Sequence, residues 1–278
     1  MTNQAITKIS LSTEEMALVY SLLSLPASAK TLLFEMYGEL PPAIVEEKLV
    51  TASHSLIARG MVTLSEKATV ILHDKIAEIF TPLIIFKNKL QVLYNDYGRE
   101  EDPIVRATDY YLGNKDHFTS HEIDLGVVHH LFHGEIPSLP NFVTGSLRLP
   151  VQNSEDVQDT LSGKSFPLKM ADYPALEEMG QAQALAALKS NGFEASIAES
   201  LSEAICNPVR RGSAILVDVS SETLESKDYS KTGPGFFWLI GEKSSWIMSF
   251  DDTDKETVAT ILPGTAQMAE KLLKKLLD

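Results

Sequence analysis

The fold is decided by the stretch PLIIFKNKLQVLYNDYGREEDPIVRATDYYLGNKDHFTSHEIDLGVVHHLFHGEIP, which occupies residues 82–137. It contains four runs rich in β-branched and aromatic residues, which are separated by turn residues such as Gly98, Pro103, Gly113 and Asn114. Runs of this kind with turn residues between them predict consecutive antiparallel strands. The predicted strands are residues 83–94, 104–112, 117–123 and 127–136.

A similar order of elements follows in the second part of the chain. Apolar residues at helical spacing predict helices over residues 11–25, 29–37 and 43–59 before the first strands, and over 174–190 and 193–205 before a second set. Ser12 and Glu15 form a capping-box pattern at the first helix. The second set of strands is predicted at 214–219, 236–240, 246–250 and 257–262, and a last helix at 265–277.

This order predicts an α+β fold of two similar halves. Each half has helices followed by a mostly antiparallel sheet, the arrangement is quasi-twofold, and the C-terminal helix packs on the sheet. The N-terminal half is residues 1–150, with helices in 11–80 and a strand meander in 82–136. The C-terminal half is residues 151–278, with helices in 174–205, strands in 213–262 and the last helix. Prolines and glycines predict a linker over 138–172.

Composition narrows the functional classes. The 278 residues carry a formal net charge of −14, which opposes binding to the phosphates of nucleic acids. The longest apolar run is far shorter than the roughly 20 residues that span a bilayer, so no membrane insertion is expected. The single cysteine, Cys206, cannot form an intramolecular disulfide and suits the cytoplasm. A cytoplasmic, acidic protein is therefore expected.

Local patterns in the sequence indicate two alternative functions. Three helices and a short strand after Arg59-Gly60 resemble the plan of a winged-helix transcriptional regulator. The third helix, however, contributes Glu46, Glu47 and Lys48, which with Arg59 sum to zero charge, so it lacks the basic surface that reads DNA. A helical layer that covers a sheet is the favoured interpretation of residues 11–80.

The second alternative is a metal-dependent enzyme, because five of the seven histidines lie between His117 and His133. His129 and His133 have the i, i+4 spacing of two ligands on a helix. Their sequence context predicts a strand, in which they would stand about 13 Å apart and could not share one metal. Joint protonation of these imidazoles between pH 5 and 7 is a further possibility.

Two sequence motifs of catalytic sites are incomplete in this chain. His121-Glu122 lacks the second histidine of a metalloprotease helix, and Gly163-Lys164-Ser165 lacks the first glycine of a phosphate loop, since Gln158 stands there. We therefore expect a protein without enzymatic activity, metal or cofactor. The long polar segment 220–235 between predicted strands is typical of a binding loop. The predicted contacts with a protein partner are Leu224, Tyr229, Lys231 and Phe236.

Several segments resemble the EspG-type chaperones associated with ESX (type VII) secretion. The resemblance rests on a strand that begins at Trp246, on Thr257-Val-Ala-Thr-Ile-Leu-Pro-Gly-Thr265 before the terminal helix, and on the opening Leu11-Ser-Thr-Glu-Glu15. Val105-Arg106 in the strand meander is similar as well. The resemblance implies a cytoplasmic, non-enzymatic chaperone with a quasi-twofold α+β fold, whose exposed surface holds secretion substrates. It identifies no binding residue.

Overall fold

The structure is a computed structural model that describes residues 6–97, 104–113, 116–150, 166–169, 172–218, 233–251 and 258–278. The helices are α1 (Thr13–Leu22), α2 (Pro26–Tyr37), α3 (Pro42–Ala58), α4 (Asp74–Ile84), α5 (Leu139–Leu147), α6 (Tyr173–Glu178), α7 (Gln181–Ser190), α8 (Ala195–Cys206) and α9 (Ala266–Leu277). The strands are β1 (Thr7–Ser12), β2 (Val62–Leu64), β3 (Val70–Leu72), β4 (Phe86–Asp96), β5 (Ile104–Gly113), β6 (His117–Asp124), β7 (Val128–Glu135), β8 (Phe166–Lys169), β9 (Arg210–Asp218), β10 (Gly235–Ile240), β11 (Ser245–Phe250) and β12 (Val258–Pro263). The predicted α+β class is confirmed.

Contacts divide the chain into two compact units. Unit 1 consists of residues Met1–Phe86 and Tyr111–Glu135, and unit 2 of Lys87–Tyr110 and Ile136–Asp278. These units group residues by proximity, whereas the sequence-based division into residues 1–150 and 151–278 concerns likeness between two halves. That likeness and its quasi-twofold arrangement stay predictions.

Unit 1 begins with α1, whose first turn anchors the helical layer. Ser12 caps α1, and the predicted capping box with Glu15 is present in both directions. The Glu15 carboxylate is buried and accepts hydrogen bonds from Arg59 Nη1 at 2.8 Å and from Ser55 Oγ at 2.6 Å. The carboxylate of Glu15 therefore takes part both in the capping box of α1 and in the ion pair that joins α1 to the end of α3.

The end of α3 has the geometry of a glycine-terminated helix. Gly60 has a φ of 66°, its N–H bonds to the carbonyl of Ile57, and the N–H of Met61 bonds to the carbonyl of Leu56. This is the Schellman pattern, in which a left-handed residue satisfies the last carbonyls of a helix. Gly60 therefore ends α3. The β2–β3 hairpin follows directly.

The sheet of unit 1 runs in the order β1-β7-β6, and each pair is antiparallel. Helices α1 and α4 pack on it, with Leu11, Leu131 and Phe80 buried in the shared core. The predicted helix at 11–25 is wrong at its start, because residues 7–12 form β1 and pair with β7. Pro26 is the first residue of α2.

The sheet of unit 2 runs in the order β5-β4-β9-β10-β11-β12-β8. Helices α7 and α8 cover one face, where Leu201 and Ile205 pack against Trp246, Met248 and other residues of the strands. The opposite face carries Phe236 and Trp238, and there Leu272 and Leu276 of α9 border a recess with Phe236. The expectation that the C-terminal helix packs on the sheet is confirmed.

Three boundaries differ from the sequence-based expectations. The strand expected at 83–94 begins at Phe86, because burial of Phe80 and Pro82 extends α4 past the proline. The linker at 138–172 is wrong, since it includes α5 and the edge strand β8. The helix at 174–190 is two helices, α6 and α7, with Gly180 as the N-cap of α7.

Candidate protein-binding face

Unit 2 presents a small recess where α6 meets the sheet. The recess has a volume of about 330 Å³ and lies between α6 and the strands β4, β5, β9 and β10. We call its lining the aromatic recess; it consists of Leu93, Tyr94, Asn95, Val105, Tyr173, Glu177, Arg211, Gly212, Ser213, Phe237 and Trp238. The alternation of side chains along the strands places Leu93, Arg211 and Phe237 on the sheet face that α7 and α8 cover farther along.

Stacked aromatic rings form the inner wall of the aromatic recess. The rings of Tyr173 and Phe237 are nearly parallel, with centroids 6.0 Å apart, and Phe237 contacts Phe250 at a centroid distance of 5.0 Å. The chain of rings continues into the core, so the wall is rigid. Val105 on β5 stands at the outer side with 66% of its surface exposed. Apolar area is therefore available to a partner without any rearrangement of the core.

A charged pair borders this wall. Arg211 forms an ion pair with Glu177 of α6, and its guanidinium lies 5.4 Å from the ring centroid of Tyr97. Burial raises the pKa of the Tyr173 hydroxyl far above its usual value, and the hydrogen bond with Glu177 raises it further. Tyr173 therefore stays a neutral hydroxyl at all physiological pH values. The guanidinium of Arg211 and the carboxylate of Glu177 are partly exposed, so they can meet polar groups of a partner.

On the opposite face of the sheet, behind the aromatic recess, the packing depends on a glycine. A Cβ at Gly212 would lie 2.3 Å from Cζ2 of Trp238 and 2.3 Å from the carbonyl oxygen of Leu93. Only glycine lets the fully buried indole lie directly on the backbone of β9. Within the described parts of the chain, Trp238 Nε1 has no hydrogen-bond acceptor.

Polar groups extend the same face toward β5. Lys89 Nζ lies 2.7 Å from Asp109 Oδ2, and the Gln91 amide donates to the other carboxylate oxygen of Asp109 at 3.1 Å. An apolar centre of aromatic residues and arginine with a polar border is the composition of protein-binding surfaces. The arrangement can therefore bind a protein through aromatic stacking, apolar contact and charge pairing.

The structure places the predicted contact residues in two situations. Leu224, Tyr229 and Lys231 lie outside the described residues. Phe236 is in β10 with 0% of its surface exposed, on the opposite face from Phe237. That burial argues against direct contact through the Phe236 side chain, and the role of the other three stays a prediction.

Sequence reasoning missed the residues of the aromatic recess. The alternation in Phe236-Phe237-Trp238 indicates that Phe237 points away from its neighbours. It does not indicate which of the two faces α9 covers. Arg211 and Glu177 are 34 positions apart and are joined only by the tertiary fold.

The histidine cluster of β6 and β7 forms hydrogen-bonded and stacked pairs. Nε2 of His121 lies 2.8 Å from Nδ1 of His129, and Nε2 of His129 lies 3.2 Å from Oγ1 of Thr13. Because Thr13 donates its own proton to the carbonyl of Val127, His129 donates to Thr13 and accepts from His121. These hydrogen bonds of Thr13, His121 and His129 are all compatible with neutral imidazoles.

Burial keeps these imidazoles neutral. It lowers the pKa of His121 to about 4, with a smaller contribution from His129, and it lowers the pKa values of His129 and His133 as well. The expectation of joint protonation between pH 5 and 7 therefore fails for His121. Among the residues that the structure describes, no three histidine, cysteine, aspartate or glutamate side chains are grouped so that they could hold a metal.

The order of elements expected for a winged-helix module is present, since α1 to α3 precede the β2–β3 hairpin. The cationic side chains at α3 form ion pairs with glutamates of α1. Lys48 of α3 pairs with Glu14 at 3.3 Å, and Arg59 pairs with Glu15 at 2.8 Å. The helical layer itself lies on β6 and β7 of unit 1, as expected.

A helix must be both long enough and apolar enough to cross a bilayer. None of the helices in the described ranges meets both conditions.

Comparisons with known proteins bear on the fold. No family model and no curated protein matches the sequence. Among solved structures, the chain is similar to the type VII secretion system chaperone EspG5 of Mycobacterium tuberculosis, determined in complex with the PE25-PPE41 dimer. The TM-score is 0.56 at 13% sequence identity, over 98% of this chain and 96% of that chain. Over nearly the whole length of both chains, this chain therefore shares the fold of EspG5.

Proposed function

We propose that this protein is a chaperone or adaptor that binds a protein substrate of a type VII secretion system in the cytoplasm, without catalysing a reaction. The observation that carries the proposal is the fold similarity to EspG5 over 98% of this chain, because EspG5 is a type VII secretion system chaperone that was determined in complex with the PE25-PPE41 dimer. One fold can host different functions, so the proposal also depends on a surface of this chain that can bind a protein.

The aromatic recess supports a protein partner over a small substrate. Its volume of about 330 Å³ is at the low end of ligand pockets, and it continues into the exposed Val105 and the polar groups around Asp109. Aromatic residues and arginine supply most of the energy at protein interfaces. A partner side chain can enter the recess while neighbouring partner residues lie on β4 and β5.

The predicted loop contacts fit the same proposal through chain connectivity. Leu224, Tyr229 and Lys231 belong to the segment between β9 and β10, the strands that carry Arg211 and Phe237. We therefore propose that this segment adds contacts to those of the aromatic recess. The two parts of the interface are separable by mutation.

Binding should depend on Val105. Secreted proteins encoded beside this chain in its native genome are co-expressed with it, and complexes are measured by size-exclusion chromatography and calorimetry. Val105→Arg is expected to weaken the complex at least tenfold, or about 1.4 kcal/mol, because it places a charge at an apolar contact. The substitution is on an exposed side chain, so the fold is retained.

The matched control is Val258→Arg on β12, which is also an exposed valine of unit 2. It should leave binding unchanged. Equal weakening by both variants would remove the aromatic recess from the proposal. If none of the co-expressed secreted proteins bound the unmodified chain, the chaperone function itself would be refuted.

A further inference from the structure

Unit 1 has an apolar groove that is separate from the aromatic recess. The groove has a volume of about 760 Å³ and lies between α2 and α3, with Leu18 of α1 at its base. Both α2 and α3 pack on α1. Two lining side chains, Phe34 and Val50, are 58% and 48% exposed, although they are large and apolar. We call this feature the α2–α3 groove.

The lining residues follow helical spacing on both sides. On α2 they are residues 26, 29, 30, 33 and 34, and on α3 they are residues 42, 45, 46, 49, 50 and 53. Steps of three and four residues place these side chains along one stripe of each helix. Two facing stripes on a third helix are the arrangement of a helix bundle from which one member is missing.

The dimensions match a short helix. The stripe on α3 covers 12 residues, and at 1.5 Å per residue its ends lie about 17 Å apart, the length of about three helical turns. Helix-in-groove recognition uses apolar anchors at i, i+3 or i+4, and i+7, which is the complement of this lining.

Charge around the α2–α3 groove is predominantly negative. Glu39 and Glu46 line it and are exposed, while Lys30 is the one cation among its lining residues. The exposed Glu35 and Glu47 adjoin these positions in sequence. A net charge of −14 for the whole chain acts in the same direction. Lysine or arginine on the flanks of a bound helix would therefore be favoured.

We propose that the α2–α3 groove binds an amphipathic helix of a partner protein, with about three turns, a leucine-type apolar stripe and basic flanks. The bound helix inserts its apolar side chains beside Phe34, Leu49 and Val50, and its cations face Glu39 and Glu46. This interaction is independent of the aromatic recess and of the proposed secretion function.

A designed peptide tests the proposal on the full chain. The probe is a fluorescein-labelled 16-residue helix with leucine at steps of three and four and lysine elsewhere, and binding is followed by fluorescence anisotropy. One control peptide has the same composition in scrambled order, and a second has glutamate in place of lysine. Micromolar binding of the probe is expected, with at least tenfold weaker binding of both controls.

Variants locate the site. Val50→Lys and Phe34→Lys should each weaken binding of the probe at least tenfold, because they place a like charge in the α2–α3 groove. Ile123→Lys, at an isoleucine of β6 that is exposed and does not line the groove, is the matched control and should bind the probe normally. Val105→Arg should also bind it normally, which separates this test from that of the proposed function.

Three results would overturn the proposal. Equal binding of the probe and the scrambled peptide would show attraction by charge alone. Unchanged binding by both groove variants would place the peptide elsewhere. A dimer of the unmodified chain in sedimentation that Val50→Lys dissociates would show that a second copy of this chain occupies the groove.

Discussion

Acid is expected to destabilise the protein through His121, and the effect is large enough to measure. The imidazole is partly buried against β7 beside His129, and this burial, with a smaller contribution from the charge of His129, lowers its pKa to about 4 in the folded chain. In the unfolded chain a histidine has a pKa of about 6.5. Because the folded pKa is the lower one, this contribution to stability is present above pH 6.5 and is lost as the pH falls toward 4.

The size of the loss follows from the two pKa values. Between pH 6.5 and 4 the unfolded state binds a proton at His121 that the folded state does not. The resulting decrease in the free energy of unfolding is about 1.4 kcal/mol at pH 5.5 and about 3 kcal/mol at pH 4. Burial lowers the pKa values of His129 and His133 too, so they act in the same direction. These losses compare with a total stability of about 5–15 kcal/mol for a typical domain.

The assay is urea unfolding at pH 7.5, 6.5, 5.5 and 4.5, followed by circular dichroism. Carboxylates also titrate in this range, so the informative quantity is the difference between the unmodified chain and His121→Gln. Glutamine keeps a donor for His129 but does not titrate. The variant should lose about 1.4 kcal/mol less than the unmodified chain between pH 7.5 and 5.5.

His54→Gln, on the exposed surface of α3, controls for removal of a histidine. Direct titration of the imidazole carbon-bound protons by NMR gives the individual pKa values independently. An identical pH dependence of stability in the unmodified chain and His121→Gln would refute the reasoning. So would an NMR titration of His121 with a midpoint near 6.5.

Two further predictions concern stability. Glu15→Ala should lower the free energy of unfolding by about 3 kcal/mol in urea titrations, because it removes the carboxylate of the capping box and leaves Arg59 without its ion-pair partner. Glu35→Ala, at an exposed glutamate of α2, should change it by less than about 0.5 kcal/mol, and an equal loss in the two variants would contradict the assignment. Gly212→Ala should cost about 1–3 kcal/mol, since its Cβ would overlap the ring of Trp238. An unchanged melting temperature and unchanged tryptophan fluorescence of that variant would show that the ring can move without cost.

Local signals in the sequence predicted most elements of the fold. The capping box of Ser12 and Glu15 and the left-handed Gly60 act over three or four residues, so they are visible without the tertiary structure. The strand runs between 104 and 136 are rich in β-branched and aromatic residues and end in turn residues, which are also local signals. Interactions of short range leave short patterns in the sequence.

The elements that were missed depend on distant partners. β1 is a strand because residues 7–12 pair with β7, about 120 positions later. β8 has four residues and pairs only with β12 among the described strands. Edge strands of this length contain too few residues for alternation to be recognised, so they depend on the strand beside them.

The two candidate binding surfaces also depend partly on local sequence and partly on the packing of distant elements. The sequence by itself determined the element types, the helix caps and the stripes of apolar residues on α2, α3 and β10. Only the tertiary structure decided that α9 covers Phe236 while Phe237 lines the aromatic recess, and that the stripes of α2 and α3 face each other across a groove. The physical reason is that a strand or helix specifies which side chains share a face, whereas the packing of distant elements specifies which face stays open.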